Sequence, residues 1–206
     1  MLTIWGRANS INVQKVLWCC TELDIEFERI DAGLTYGVVT TPGYMALNPN
    51  SLVPTINDDG YILWESNVIV RYLAAKHGPG SLYPDDLQTR FLCEKWMEWQ
   101  TSTLWMPLRT VFQGLIRTPP EKRDEKAIAA AQAVAETNFG ILDRHLAGRE
   151  FLEADRLTVA DIPAGATAYR WFALGNSREA YPHVARWYDG LVARPGFSKY
   201  VMLPLT

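Results

Sequence analysis

The stretch SLVPTI, residues Ser51 to Ile56, limits what this chain can fold into more than any other. Leu52, Val53, Thr55 and Ile56 have the composition of a buried strand, yet Pro54 stands among them. Proline has no N–H to give to a sheet ladder, so it is confined to strand starts, edges and bulges. The strand therefore opens at Pro54, and Val53 lies just outside the ladder. Two geometries suit that position. A trans proline would mark an ordinary edge-strand start. A cis bond at Val53–Pro54, disfavoured by only ~0.5–1 kcal/mol, would turn the N–H and C=O of Val53 outward. An extended peptide could then pair with them as an added strand.

The flanking sequence supplies a setting for such a strand. Leu2 to Trp5 (LTIW) reads as a short buried strand ended by Gly6. Val13, Val16, Leu17, Cys20 and Leu23 recur at helical spacing, which predicts an amphipathic helix from Asn12 to Leu23. EFERI, Glu26 to Ile30, alternates as a second strand, completing a parallel crossover unit. Asp31 to Asn50 reads as irregular. VPTIN, the turn DDG and YILW then form a hairpin, and a helix runs from about Glu65 to His77. GPGSLYPDD is a linker by composition. No strand pattern follows it. Leu92, Trp96 and Trp99 mark a long helix that Pro107 is expected to kink or end. Ile128, Ala131, Ala135, Phe139, Leu142 and Leu146 keep helical spacing down to Gly148, and two or three shorter helices fill the chain from Thr158. The expected architecture is a small α/β domain over residues 1–78 and an all-helical domain over 87–206.

Composition closes off several functions. The 206 residues carry a formal net charge of −3 and no basic block, which excludes a nucleic-acid footprint. No apolar run approaches the ~18 residues of a membrane span, and MLTIWGRANS lacks the pattern of a signal peptide. Cys19, Cys20 and Cys93 cannot build a disulfide framework, so the expected compartment is a reducing cytoplasm, and the expected role of the adjacent Cys19 and Cys20 is packing. His77, His145 and His183 lack ligand spacing, so no metal site is expected. The aromatic set that includes Trp96, Trp99, Trp171 and Phe172 reads first as core.

WESN places Glu65 and Ser66 at the start of a helix. Free N–H groups and the positive dipole end suit a carboxylate there, and Glu65 suits an ammonium group. A plain capped helix start has the same residues. Taken together, SLVPTI and LWESNVIVRYLA resemble the glutathione-site motif of the cytosolic glutathione transferases, whose proline opens a strand of a thioredoxin-like fold. FLEADRLTVADI is similar to that family's buried capping box, with Thr158 as N-cap, Asp161 three residues on, and Leu157 and Ile162 as the staple. The resemblance spans the chain in order and length. It points to the serine-type bacterial branch (theta-, zeta- and nu-like).

The resemblance implies a thioredoxin-like N-terminal domain joined to a helical bundle. It implies glutathione as co-substrate, with no metal, bound by Val53, Pro54, Glu65 and Ser66. Thr40, Asn50 and Lys15 are candidates for its glycine carboxylate. Catalysis would lie in the turn GRANSINVQK, where Ser10 would bind the glutathione sulfur and Asn12 stands two residues later as the other donor. Trp105, Met106 and Phe112 would contact a small hydrophobic electrophile. The implied activity is conjugation of the thiolate to such electrophiles, or their glutathione-dependent reduction, as a detoxifying cytoplasmic homodimer. A glutathione-dependent isomerase and a non-catalytic binding module on the same fold remain the alternatives.

Overall fold

A computed structural model describes residues 1–206 and divides into two compact units, Met1–Tyr83 with Pro195–Leu203 and Pro84–Arg194 with Pro204–Thr206. In the first unit, β1 (Leu2–Trp5), α1 (Ile11–Glu22) and β2 (Phe27–Ile30) form the expected crossover, with β1 and β2 parallel. After α2 (Pro42–Leu47) come the hairpin strands β3 (Thr55–Asp58) and β4 (Tyr61–Trp64), then α3 (Ser66–His77). The sheet order is β2-β1-β3-β4, and β3 is antiparallel to both of its neighbours. This is the thioredoxin-like sheet implied by the motif around Pro54. The Val53–Pro54 bond is cis.

Two elements of this unit differ from their sequence reading. α2 falls in the stretch read as irregular. It is six residues long and contains Gly43, which hides its periodicity, but its start signals are present: Pro42 in the first turn, and Thr41, whose Oγ1 accepts the Tyr44 N–H at 3.3 Å. α1 is not amphipathic in the usual sense, since nine of its twelve residues are buried. It packs against α3 and also against the C-terminal helix Pro195–Tyr200, which the linear reading placed with the helical part. Phe197 meets the Trp18 ring edge-on at 4.9 Å. A Cβ on Gly196 would come within 2.9 Å of Trp18 and Thr21, so glycine allows the close approach. The polar residues covered this way find partners. Gln14 Nε2 donates to the Val201 carbonyl at 3.4 Å, and Lys15 Nζ to Asn67 Oδ1 at 3.2 Å.

The second unit is helical: α4 (Leu87–Trp99), α5 (Trp105–Phe112), α6 (Glu125–His145), α7 (Asp161–Ala173) and α8 (Pro182–Val192). Pro107 does not end its helix. The helical path runs from α4 through a π-type turn at Gln100–Leu104 into α5, with Pro107 inside, and on through a second such turn to Arg117. Proline brings no N–H to the carbonyl one turn back. That carbonyl, on Thr103, accepts instead from Asn138 Nδ2 of α6 at 2.9 Å. Trp96 and Trp171 are buried, and Trp171 stacks on Phe139 at 4.2 Å, so these aromatics are core.

At the start of α7 one half of the expected capping box is made, and the Asp161 N–H goes to the Thr158 carbonyl at 3.0 Å rather than to its hydroxyl. Asp161 Oδ2 accepts the Thr158 N–H at 2.9 Å, and Thr158 Oγ1 lies 3.4 Å from the Ala160 N–H. Asp161 Oδ1 also accepts from the Leu152 N–H at 3.0 Å and from Trp187 Nε1 at 2.9 Å. Burial outweighs these donors and pushes the carboxyl up to about 6. No helix in the chain is long and apolar enough to cross a membrane.

Candidate active site

Strand register brings the predicted residues of the first unit to one end of the sheet. Trp5, the last residue of β1, pairs with Thr55, the first of β3, and Thr55 pairs with Trp64, the last of β4. The turn leaving β1, the segment entering β3 and the residue leaving β4 therefore meet at the same end. That end carries Ser10 with Asn12, Val53 with Pro54, and Glu65 with Ser66. The end of β2 is there too, since Ile30 pairs in parallel with Trp5. Close packing confirms the convergence: a Cβ on Gly33, just past β2, would lie 3.1 Å from Arg7 Nη1 and 3.5 Å from Val53 Cγ1.

Each of these groups has unused hydrogen-bonding capacity. Val53 is half-buried, and neither its N–H nor its C=O has a partner within the chain. Ser10 is the N-cap residue of α1, but it caps only with its main chain: its carbonyl accepts the Gln14 N–H at 2.8 Å, and its hydroxyl makes no capping bond. It is 6% exposed. Asn12 is half-buried in the first turn, and no acidic residue in that turn offsets the positive end of the helix. Ser10 and Asn12 thus present neutral donors at a helix N-terminus, where a negative charge is favoured.

The start of α3 has a similar character. Glu65 precedes the helix with φ 73°, in the left-handed region that disfavours any residue with a Cβ. Its side chain is exposed and does not cap the helix. Ser66, the first helical residue, is 7% exposed, and its N–H has no main-chain partner; Ile69 N–H is the first to reach back, to the Glu65 carbonyl at 2.9 Å. Non-glycine residues held in this region of backbone space cluster at functional sites.

The remaining predicted residues are placed differently. Asn50 gives both its N–H and its Nδ2 to Asn48 Oδ1, at 3.0 and 3.2 Å. Thr40 is exposed in the turn before α2. Lys15 is buried under α3, and its ammonium is turned to Asn67. In the second unit, Met106 is half exposed and Trp105 half buried. Phe112 is buried, with the Arg170 guanidinium 4.4 Å and that of Arg117 5.0 Å from its ring centre. All three cysteines are buried. Burial pushes the Cys20 thiol up to about 12 and that of Cys93 to about 11, so neither supplies a thiolate at neutral pH. Tyr44, Asn48 and Thr55, which surround the segment carrying Val53, were not singled out by sequence. The first two lie in the stretch that reads as irregular.

The chain is similar to known proteins over both of its units. Residues 1–75 match the family model described as glutathione S-transferase, N-terminal domain, and residues 104–195 the one described as glutathione S-transferase, C-terminal domain. Glutathione S-transferase GstB of Escherichia coli is 42% identical over the full length of both chains. Glutathione S-transferase 3 of Zea mays is 32% identical, over 97% of this chain and 93% of its own. Among solved structures, the theta class glutathione S-transferase of Xanthomonas axonopodis pv. citri, crystallised with glutathione bound, superposes with a TM-score of 0.95 at 43% identity, covering 100% of this chain and 99% of that one. The chain belongs to the glutathione S-transferase family, and its class of activity is glutathione transfer.

Proposed function

We propose that this enzyme binds glutathione along Val53 and joins its thiolate to small apolar electrophiles. The observation that carries the reading is the Ser10 hydroxyl, left out of the helix cap at the sheet end where the main chain of Val53 is unpaired. The cysteinyl residue of glutathione pairs with the N–H and C=O of Val53 beside Pro54. Its γ-glutamyl carboxylate sits at the start of α3 with Ser66, and its ammonium faces Glu65. Thr40 and Asn50 are the residues proposed for its glycine carboxylate, and Trp105, Met106 and Phe112 those for the electrophile. The glutathione-bound Xanthomonas relative supports the choice of co-substrate.

A free thiol has a pKa of ~8.5, so only a few per cent is thiolate at neutral pH. The serine O–H donates to a charged sulfur far more strongly than to a neutral one, and the positive end of α1 adds to the difference. Lowering the thiol pKa by two units takes ~2.7 kcal/mol, within reach of a charge-assisted hydrogen bond and a helix terminus together. Ser10 itself stays protonated. The proposed enzyme works as a homodimer in the cytoplasm.

The test is a panel of aryl halides, hydroperoxides, isothiocyanates and unsaturated acids assayed with glutathione. A thioether product establishes conjugation, and oxidised glutathione establishes reduction. Glutathione recovered unchanged beside an isomerised substrate would overturn transfer, as would no turnover on any of them.

A further inference from the structure

Resting on the proposed glutathione site, we infer that Tyr44, Asn48 and Thr55 form a closed hydrogen-bonded ring whose task is to hold Val53 in place for glutathione. Four contacts make the ring. Tyr44 Oη lies 2.6 Å from the Leu52 carbonyl and 2.8 Å from Thr55 Oγ1. Asn48 Nδ2 lies 3.0 Å from each of the same two oxygens. One assignment of protons satisfies all four. The Tyr44 hydroxyl donates to the Leu52 carbonyl. The two Asn48 amide hydrogens go to that carbonyl and to Thr55 Oγ1. The Thr55 hydroxyl donates back to Tyr44 Oη. Every donor is used once.

The ring surrounds the binding edge. Leu52 and Thr55 flank the Val53–Pro54 pair, one on each side. Both are tied to α2 through Tyr44 and Asn48, which are 3% and 2% exposed. Asn48 Oδ1 accepts both donors of Asn50, so the loop from α2 to β3 is fixed at three points. Val53 and Pro54 themselves take no part, which leaves the N–H and C=O of Val53 free for a peptide. Fully satisfied buried networks of this kind are rigid, and opening one bond leaves the others short of a partner. The Leu52 side chain, by contrast, is 65% exposed, so packing does not anchor this segment. The ring also needs a neutral phenol, and burial raises the Tyr44 pKa.

These are positioning residues, which act on glutathione through Val53 and not on the sulfur. Steady-state kinetics with varied glutathione test this in wild type, Tyr44→Phe, Thr55→Val and Thr55→Ser. The expected result is a KM for glutathione raised about tenfold in Tyr44→Phe and Thr55→Val, each of which removes two of the four contacts. Their kcat at saturation and pH–rate profile should match wild type. Thr55→Ser keeps the hydroxyl and should retain wild-type KM, and the double variant Tyr44→Phe/Thr55→Val should be little worse than either single one. Variants that only melt earlier, with unchanged KM, would overturn the inference. So would a shifted pH profile, which would mean the ring acts on the thiolate. If Tyr44→Phe fails to fold, Thr55→Val opens the same ring and decides the matter. A wild type without saturable glutathione dependence would remove the proposed function itself, whereas unchanged KM values against a saturable wild type remove only the ring's role.

Discussion

Asp161 is a carboxylate with no solvent and four donors within hydrogen-bonding distance, two of them main-chain N–H groups. Its folded pKa, about 6, lies above the ordinary 3.8. The folded state therefore holds this proton more tightly than the unfolded chain, and stability from this group is fully present below the ordinary value and is lost as pH rises through about 6. Asp161→Asn abolishes that dependence. Chemical denaturation at pH 4 and pH 7 should show the wild type losing about 2 kcal/mol more than the variant over this interval. An equal change in both proteins would contradict the assignment. The Asp161 half of the cap was legible in TVAD because Asp161, the first residue of α7, stands three residues after Thr158. The raised pKa was not, because burial comes from Trp187 and the rest of the second unit. The same division holds in the first unit. Ser10, Val53, Glu65 and Ser66 are readable because each lies at, or within two residues of, the start of a regular element. Tyr44 and Asn48 matter only through what a folded loop brings to them.

Among the elements, the helix through Pro107 is where sequence patterning and structure part. Proline inside a helical run normally kinks or ends it. Here a π-type turn precedes it, and a side chain from another helix takes the freed carbonyl. Asn138 is 6% exposed, and its role cannot be seen from its position in α6 alone, where it falls beside Phe139 in a mainly apolar face. Asn138→Leu should destabilise the protein by about 1 kcal/mol in chemical denaturation, because the partly buried Thr103 carbonyl loses its donor. A midpoint equal to wild type would show that the carbonyl finds another partner. α1 repeats the theme. Its apolar spacing was legible, but its burial on a second face depends on residues about 180 positions later, Phe197 and Val201. Periodicity within an element reports the face it buries first, not every face that the chain later covers.

At the scale of the whole molecule, each unit leaves apolar side chains on its surface. Val68 of α3 is 41% exposed, and Leu87 and Phe91 of α4 are 62% and 63% exposed. Side chains of this size on two long helices suit a two-fold contact between copies. Light scattering at micromolar concentration should give twice the 23.3 kDa of one chain, and the mass of a single chain would refute the homodimer. Chemistry at the sulfur is the property that makes the assembled protein a transferase. It is read most directly from the ultraviolet absorbance of bound glutathione thiolate, titrated in wild type, Ser10→Ala and Asn12→Ala. We expect bound glutathione in the wild type to ionise about two pH units below the free thiol. In Ser10→Ala that midpoint should move back toward the free value, with a smaller shift or none in Asn12→Ala. A midpoint that moves only in Asn12→Ala would transfer the role to that side chain. A midpoint unchanged in both variants would contradict the placement of the sulfur at the start of α1.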